Sequence, residues 1–455
     1  MSTKAHWNSL TSLYKDYPSV GLSLDLSRMG LTEETLSEIL PRLDAAVSEM
    51  QDLEEGGIAN VDENRMVGHY WLRKPELAPS KEISSAIESQ VSKIRTLAKQ
   101  ITSKKLLSES GTAFTDVLLI GIGGSALGPQ FISDALAKTT STKNLKLHYL
   151  DNTDPAGFSE VLSQLKTKLT DTLCLVVSKS GGTVETRNAM LAAKVVFEGE
   201  GLDFGKHAIA ITTEGSKLDS LAKSDSWIEQ VYLWDWVGGR TSVFSAVGLL
   251  PAALIGIDID AFLRGAAEMD SLTRNPNSLE NPAVLMAAGW LYGMKDLHKE
   301  AMVVLPYRDS LSLFSKYLQQ LIMESLGKRL NRAGEEVHEG LAVYGNKGST
   351  DQHAYVQQLR DGSKNFFVSF IQVLNPGTLE PTALQTLEVA DSISAEDYIQ
   401  GFLLGTRNAL SESERPSILL SIDTLTAETV AGLIALFERA VGIYASLVNV
   451  NAYHQ

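Results

Sequence analysis

The sequence predicts an α/β protein of two αβα lobes with mainly parallel sheets, preceded by a helical N-terminal segment. Short continuous apolar runs at 117–120, 145–150, 173–177 and 207–212 end in Gly, Ser, Asp or Thr and alternate with helical patterns. Strands buried on both faces and joined by crossover helices have this look. A second set of such runs follows at 301–306, 366–373 and 418–422, after a helix-rich middle at 243–253, 260–269 and 283–297. Before the first set, 32–53 and 82–107 carry apolar residues at helical spacing, the former behind the N-cap candidate Thr32.

The organisation expected is therefore an N-terminal helical segment over 1–110, a first lobe over 111–260 and a second over 261–455, the boundary falling near 240–280, with a long helix over 427–448 closing the chain. A length of 455 residues is ample for two such cores. Hydrophobic residues make up 44%, with 35 Gly and 13 Pro, which excludes disordered, collagen-like and low-complexity classes. The 40 Lys and Arg against 55 Asp and Glu leave a formal charge of −15, which disfavours nucleic-acid and membrane-surface partners, so an anionic ligand would need a local pocket. The single cysteine, Cys174, lies in an apolar run and is read as a buried, inert thiol, consistent with a reducing cytoplasm. The first ten residues lack an apolar signal core, and 243–257, taken as the most apolar stretch, is too short to span a bilayer.

Five stretches carry residues suited to chemistry. At 118–129 a buried strand runs into Gly121-Ile122-Gly123-Gly124-Ser125 and then a helix, so free backbone N–H groups converge with a positive helix end where an anion can sit. Gly121, Gly123 and Ala126 also satisfy a dinucleotide fingerprint, but the acidic partner is poorly placed, the next strand ending at Asp151. A second strand–turn–helix, Ser178-Lys179-Ser180-Gly181-Gly182-Thr183, gathers hydroxyls and one ammonium around two glycines, a composition that suits phosphate and also suits a plain N-capping loop. Two such turns after neighbouring strands point to one pocket at the sheet's carboxyl edge. Gly238-Gly239-Arg240 offers a guanidinium that can approach an oxyanion without crowding, or a surface arginine in a turn.

On a helix near 313–326, Leu313, Tyr317, Gln320 and Glu324 share one face, with Phe314, Leu318, Leu321 and Ser325 beside them toward the core. Glu324 can enter a pocket from this rigid element, or form an exposed pair with Lys328. His353 follows a polar turn and begins a helix through Leu359, where a helix N-terminus would keep its imidazole neutral. No cluster has metal-ligand spacing, and no metal is expected.

Taken in order, G-I-G-G-S at 121–125, S-K-S-G-G-T-V-E-T at 178–186, G-G-R at 238–240, M-E-S at 323–325 and Q-H-A at 352–354 closely resemble the glucose-6-phosphate isomerase family, also called phosphoglucose isomerase, with matches from Gly121 to Gln455. The resemblance implies two sugar-isomerase (SIS) domains and a cytoplasmic enzyme of glycolysis and gluconeogenesis. It would interconvert glucose 6-phosphate and fructose 6-phosphate through a cis-enediolate, without a cofactor. It also implies roles: Gly124, Ser125, Ser178, Lys179, Ser180, Thr183 and Gln320 on the sugar phosphate, with Gly239 and Gln455 as further substrate contacts. Glu324 would be the base, Arg240 the cation facing the enediolate, and His353 a ring-opening acid/base supplied by the neighbouring subunit of a homodimer.

Three departures stand out. Thr241 replaces an aromatic residue common in the family, and Leu326 replaces Asn in E-S-N-G-K. The family continues past the Gln matched by Gln455 with Q-x-G-V-E-x-x-K, so the resemblance implies a C-terminal end truncated before a lysine that partners the histidine. Open-chain substrate would then still be isomerised, with ring opening impaired. The competing readings are a sugar-phosphate-binding SIS protein without turnover and a nicotinamide-dependent oxidoreductase built on the 121–128 turn.

Overall fold

The computed structural model describes residues 10–137, 145–375, 388–390 and 393–454. The chain enters through Tyr14–Tyr17 (β1) and Leu22–Arg28 (β2), an antiparallel pair. These strands are an addition to the helical reading of 1–110. Their signal is the alternation Leu22-Ser23-Leu24-Asp25-Leu26-Ser27, which has the period of two that a strand requires. The helices expected downstream are present as Glu33–Glu54 and Lys81–Thr102, capped by the hydroxyls of Thr32 and Ser80.

The first sheet comprises Asp116–Ile120 (β3), Lys146–Leu150 (β4), Thr172–Val177 (β5), Ala208–Thr213 (β6) and Glu229–Leu233 (β7). All are parallel, in the order β4-β3-β5-β6-β7. Strand β7 escaped the sequence reading because Glu229 and Gln230 break its apolar run. Helices Leu127–Leu136, Pro155–Leu165, Val184–Gly199 and Lys217–Ser224 form the crossovers. Cys174 sits fully buried in β5, and burial pushes its thiol pKa up, so it is held as an inert neutral group.

The second sheet adds Ala301–Pro306 (β8), Ala342–Tyr344 (β9), Phe366–Asn375 (β10) and Ser417–Thr424 (β11), in the order β1-β2-β11-β10-β8-β9. Strands β8 to β11 pair in parallel, while β2 pairs antiparallel with β11, so the N-terminal segment completes the sheet of the C-terminal half. Asp25, buried on β2, takes a 2.7 Å ion pair from Arg407 and the Ser27 N–H at 2.8 Å. Burial works to raise its pKa, but the Arg407 guanidinium and the Ser27 hydrogen bonds together hold the carboxyl below its ordinary value.

Helix Ala427–Leu447 runs through the core and crosses Ile259–Thr273 at backbone contact, where a Cβ on Gly265 would lie 2.1 Å from the Glu428 carbonyl oxygen. Among the described residues it is the one helix long and apolar enough to cross a bilayer, and 94% of its most apolar window is buried inside the protein. The 243–257 stretch forms the shorter helix Ala246–Leu254 instead.

One buried ionic network joins three parts of the chain. Arg73 of the N-terminal segment pairs with Asp270 at 3.0 Å and Glu438 at 2.8 Å. Arg439, on the long helix, pairs with Asp270 at 2.9 Å and with Glu54 at 2.6 Å. Arg274 closes the set on Glu54 at 2.8 Å.

Candidate functional site

From β3 the chain crosses to β4 on one side and then returns to β5 on the other side of β3, so strand order reverses between the carboxyl ends of β3 and β5. Ligands of open α/β sheets bind in the crevice at such a reversal. The two loops leaving it are the glycine turn 121–125 and the hydroxyl loop 178–183. Gly123 and Gly181 both take positive φ, and a Cβ on Gly181 would sit 2.3 Å from the Leu218 nitrogen. Only glycine meets both demands without strain.

In the hydroxyl loop, Ser178 Oγ donates to Thr183 Oγ1 at 3.2 Å, and Ser180 Oγ accepts from the Gly182 N–H at 3.1 Å. Thr183 stands at the N-cap of Val184–Gly199 yet makes no side-chain cap bond. Its hydroxyl is thus kept within the loop, which favours the ligand-holding reading over plain capping.

The turn Gly239–Thr241 that follows β7 packs directly on the glycine turn: a Cβ on Gly124 would lie 2.1 Å from the Gly239 carbonyl oxygen. This contact places Arg240, 5% exposed, beside the crevice. Arg240 Nε donates to Ser325 Oγ at 2.8 Å, Nη2 donates to the carbonyls of Ala452 at 2.5 Å and His454 at 3.3 Å, and Nη1 lies 3.1 Å from Glu324 Oε1. Burial pulls the Arg240 pKa down and the Glu324 carboxylate opposes it.

Glu324 is the last residue of a π-helical turn, Gln319–Glu324, within a helix that starts as Phe314–Leu318 and runs on through Leu326. The wider turn departs from the 3.6 spacing assumed from sequence, and such turns are frequent at functional sites. Gln320 and Glu324 stay half-buried on the crevice side, whereas Tyr317, expected with them, is buried with the core residues Phe314, Leu318 and Leu321. A Cβ on Gly123 would come within 3.1 Å of Gln320 Nε2, so Gln320 lies against the glycine turn.

The family model for phosphoglucose isomerase matches residues 25–387. The chain belongs to the phosphoglucose isomerase family. It is 53% identical to the glucose-6-phosphate isomerase of Thermosynechococcus vestitus over 455 residues, all of this chain and 85% of that one. It is 52% identical to the glucose-6-phosphate isomerase of a Geobacter species, over all of this chain and 84% of that relative. A solved glucose-6-phosphate isomerase from Chlamydia trachomatis has the same fold, with a TM-score of 0.89 at 24% identity over all of this chain and 89% of that structure.

Within this phosphoglucose isomerase frame, the remaining candidates are placed as follows. Lys179 turns its ammonium toward the carbonyls of Asp235 at 2.9 Å and Val237 at 2.8 Å, bracing the approach to Gly238, while burial lowers its pKa. Lys328 makes no exposed pair with the Glu324 side chain. Its ammonium donates instead to the Glu324 carbonyl at 2.9 Å and the His454 carbonyl at 2.8 Å, and burial followed by the Arg240 charge brings its pKa down to about 8.

His353 does not begin a helix. It is the last residue of the 3-10 turn Thr350–His353, and its side chain is exposed. The turn is held by the Asp351 carboxylate, which accepts the Asn346 N–H at 2.8 Å and the Lys347 N–H at 3.1 Å. Gln455 lies outside the described residues. Both side-chain departures are buried, Leu326 in the core and Thr241 with its hydroxyl donating to the Gly238 carbonyl at 3.3 Å. Asp151, the misplaced acidic partner of a dinucleotide reading, accepts from Gln130 at 2.7 Å.

Sequence reasoning missed Ser325 as the partner of Arg240, and missed the stretch Asn60 to His69 that comes to line the same region. The available signal was length: the connection between helices Glu33–Glu54 and Lys81–Thr102 is far longer than an ordinary loop, and long ordered loops are frequently functional.

Proposed function

We propose that this chain interconverts glucose 6-phosphate and fructose 6-phosphate by moving a proton between C1 and C2 through a cis-enediolate, a step of glycolysis and gluconeogenesis. The observation that carries the proposal is the 3.1 Å pair of Glu324 and Arg240, held beside the sheet's switch-point loops. Abstracting a weakly acidic C–H next to a carbonyl needs a positioned carboxylate and a fixed positive group for the charge that develops on oxygen. Glu324 supplies the first and Arg240 the second. The hydroxyls of Ser125, Ser178, Ser180 and Thr183, the backbone N–H groups of Gly124 and Lys179, and the Gln320 amide hold the phosphate, which fixes the sugar chain relative to the base. A protein that only bound sugar phosphates would have no need of a half-buried carboxylate paired with a buried guanidinium at this place.

Incubating glucose 6-phosphate with the enzyme in deuterated water tests this reading. The expected products are fructose 6-phosphate and glucose 6-phosphate carrying deuterium at C2. Absence of both would overturn it.

The close approach of Gly124 to Gly239 yields a second prediction. Gly124→Ala forces the two turns apart and shifts Arg240, and a displacement near 1 Å costs about 10²-fold in rate. We expect kcat/KM to fall on that order; a loss under about threefold would show that the turns tolerate separation.

His353, exposed on its own chain, serves the neighbouring subunit's site in a homodimer. Mixing Glu324→Gln with His353→Ala subunits in equal amounts would then restore about a quarter of wild-type activity, since mixed dimers keep one complete site. No gain over either parent would exclude sharing. The buried free thiol Cys174 supports a cytoplasmic location.

A further inference from the structure

The long connection between the first two long helices brings His69 to a cavity that Arg240 also lines. Its neighbour Gly68 donates its N–H to the Trp236 carbonyl at 3.0 Å, which pins this stretch to the approach to Gly238. The imidazole is 1% exposed and packs against Tyr70 with ring centroids 3.8 Å apart and the planes tilted by 39°. Neither ring nitrogen has a hydrogen-bond partner among the described residues. A buried imidazole without partners is rare in folded proteins, where such groups are satisfied by protein or by ordered water.

The ring borders a cavity of about 70 Å³ that is also lined by Arg240, Lys179, Ser325, Glu438 and Tyr453. This is more than the room one water needs, and the polar lining supplies the partners it requires. Burial, then the charges of Arg73, Arg439 and Arg240, hold the His69 pKa well below its ordinary value, so the ring is neutral and offers one donor and one acceptor nitrogen.

The guanidinium has a complementary gap. Arg240 donates through Nε to Ser325 and through Nη2 to the Ala452 and His454 carbonyls, whereas Nη1 faces Glu324 across the ion pair and has no hydrogen-bond partner among the described residues, so at least one of its two N–H groups is free.

We propose that His69 is a positioning residue for Arg240, acting through water held in this cavity. The free Nη1–H donates to a water, and that water donates to the acceptor nitrogen of His69. Beside the bonds of Nε to Ser325 and of Nη2 to the 452 and 454 carbonyls, the link anchors the Nη1 edge, so that the N–H toward Glu324 is presented to the enediolate. A neutral imidazole suits this task, because a protonated ring would repel the cation it must hold. The inference deepens the isomerase reading of the same site and rests on it for its kinetic arm.

The test compares wild-type chain with His69→Leu and His69→Gln, measuring kcat and KM for fructose 6-phosphate. It also measures inhibition by a phosphate-bearing hydroxamate that mimics the enediolate, and by inorganic phosphate. Because Arg240 meets the substrate's charge chiefly in the transition state, His69→Leu should lower kcat about tenfold or more with KM changed less than about twofold. The hydroxamate should weaken in proportion while inorganic phosphate does not, and His69→Gln should recover most of the loss. A kcat within about twofold of wild type in His69→Leu, a loss confined to KM, or failure of Gln to rescue would overturn the proposal.

Should His69→Leu fail to fold, a crystal structure of the wild-type chain decides. Ordered water within hydrogen-bond reach of both His69 and Arg240 supports the link, and an empty cavity or a protein side chain filling it refutes it. A wild-type chain that isomerises nothing would sink the functional reading alone, since the crystallographic water still judges the contact.

Discussion

Glu324→Gln is expected to lower kcat by about 10²–10⁴-fold, the range that general acid–base transfer contributes, with KM little changed. The amide keeps the size of the carboxylate and its place on the π-helical turn but cannot accept the proton. The phosphate grip proposed above uses the loops at 121–125 and 178–183, separate elements from the π-helical turn, so ground-state binding should survive. Deuterium uptake at C2 in deuterated water should fall by the same factor as turnover. Equal uptake in variant and wild type would show that another group is the base. Arg240 would lose the charge of its 3.1 Å partner while keeping its bonds to Ser325 and the 452 and 454 carbonyls, so its position should hold.

Arg439→Leu is expected to destabilise the fold by about 3–5 kcal/mol, the cost of breaking a buried pair on one side. Arg439 lies over the Tyr70 ring at 3.9 Å and bonds Asp270 and Glu54, so its loss strands buried carboxylate on two elements at once. Glu54 retains Arg274, and Asp270 retains Arg73, which is why the loss should stay within that range. Urea unfolding at pH 7 measures it, and a loss under about 1 kcal/mol would mean that the network relaxes around the gap.

The pH dependence of that variant has a definite sign. Burial acts to raise the Glu54 pKa, but Arg439 foremost and Arg274 bring it down to about 2. A depressed carboxylate contributes stability that is present above its unfolded value, near 4.3, and is lost as pH falls toward 2. Wild type should therefore lose stability across that window, and Arg439→Leu should lose less of it.

Much of this was legible because it is local. Strands β3, β5, β8 and β10 read as buried apolar runs, and Gly121, Gly123, Gly124 and Gly181 marked turns that close approach or positive φ does require. The π-helical turn was not legible, since nothing in 313–326 distinguishes it from an α-helix; it shows in the burial of Tyr317 with the core. The alternation at 22–27 was present in the sequence but lay in a stretch otherwise helical, and its partner β11 is nearly four hundred residues away.

By itself the amino-acid order determined which segments turn, which are buried on both faces, and which hydroxyls, glycines, carboxylate and guanidinium are available for chemistry. Such properties belong to a residue and its near neighbours. Only the tertiary structure decided that Gly124 abuts Gly239, that Glu324 meets Arg240, that the Lys179 ammonium turns to the 235 and 237 carbonyls, and that His69 lines a cavity together with Arg240. Those contacts join residues whose separation along the chain carries no information, and they are set by how the two sheets and the long core helix pack together.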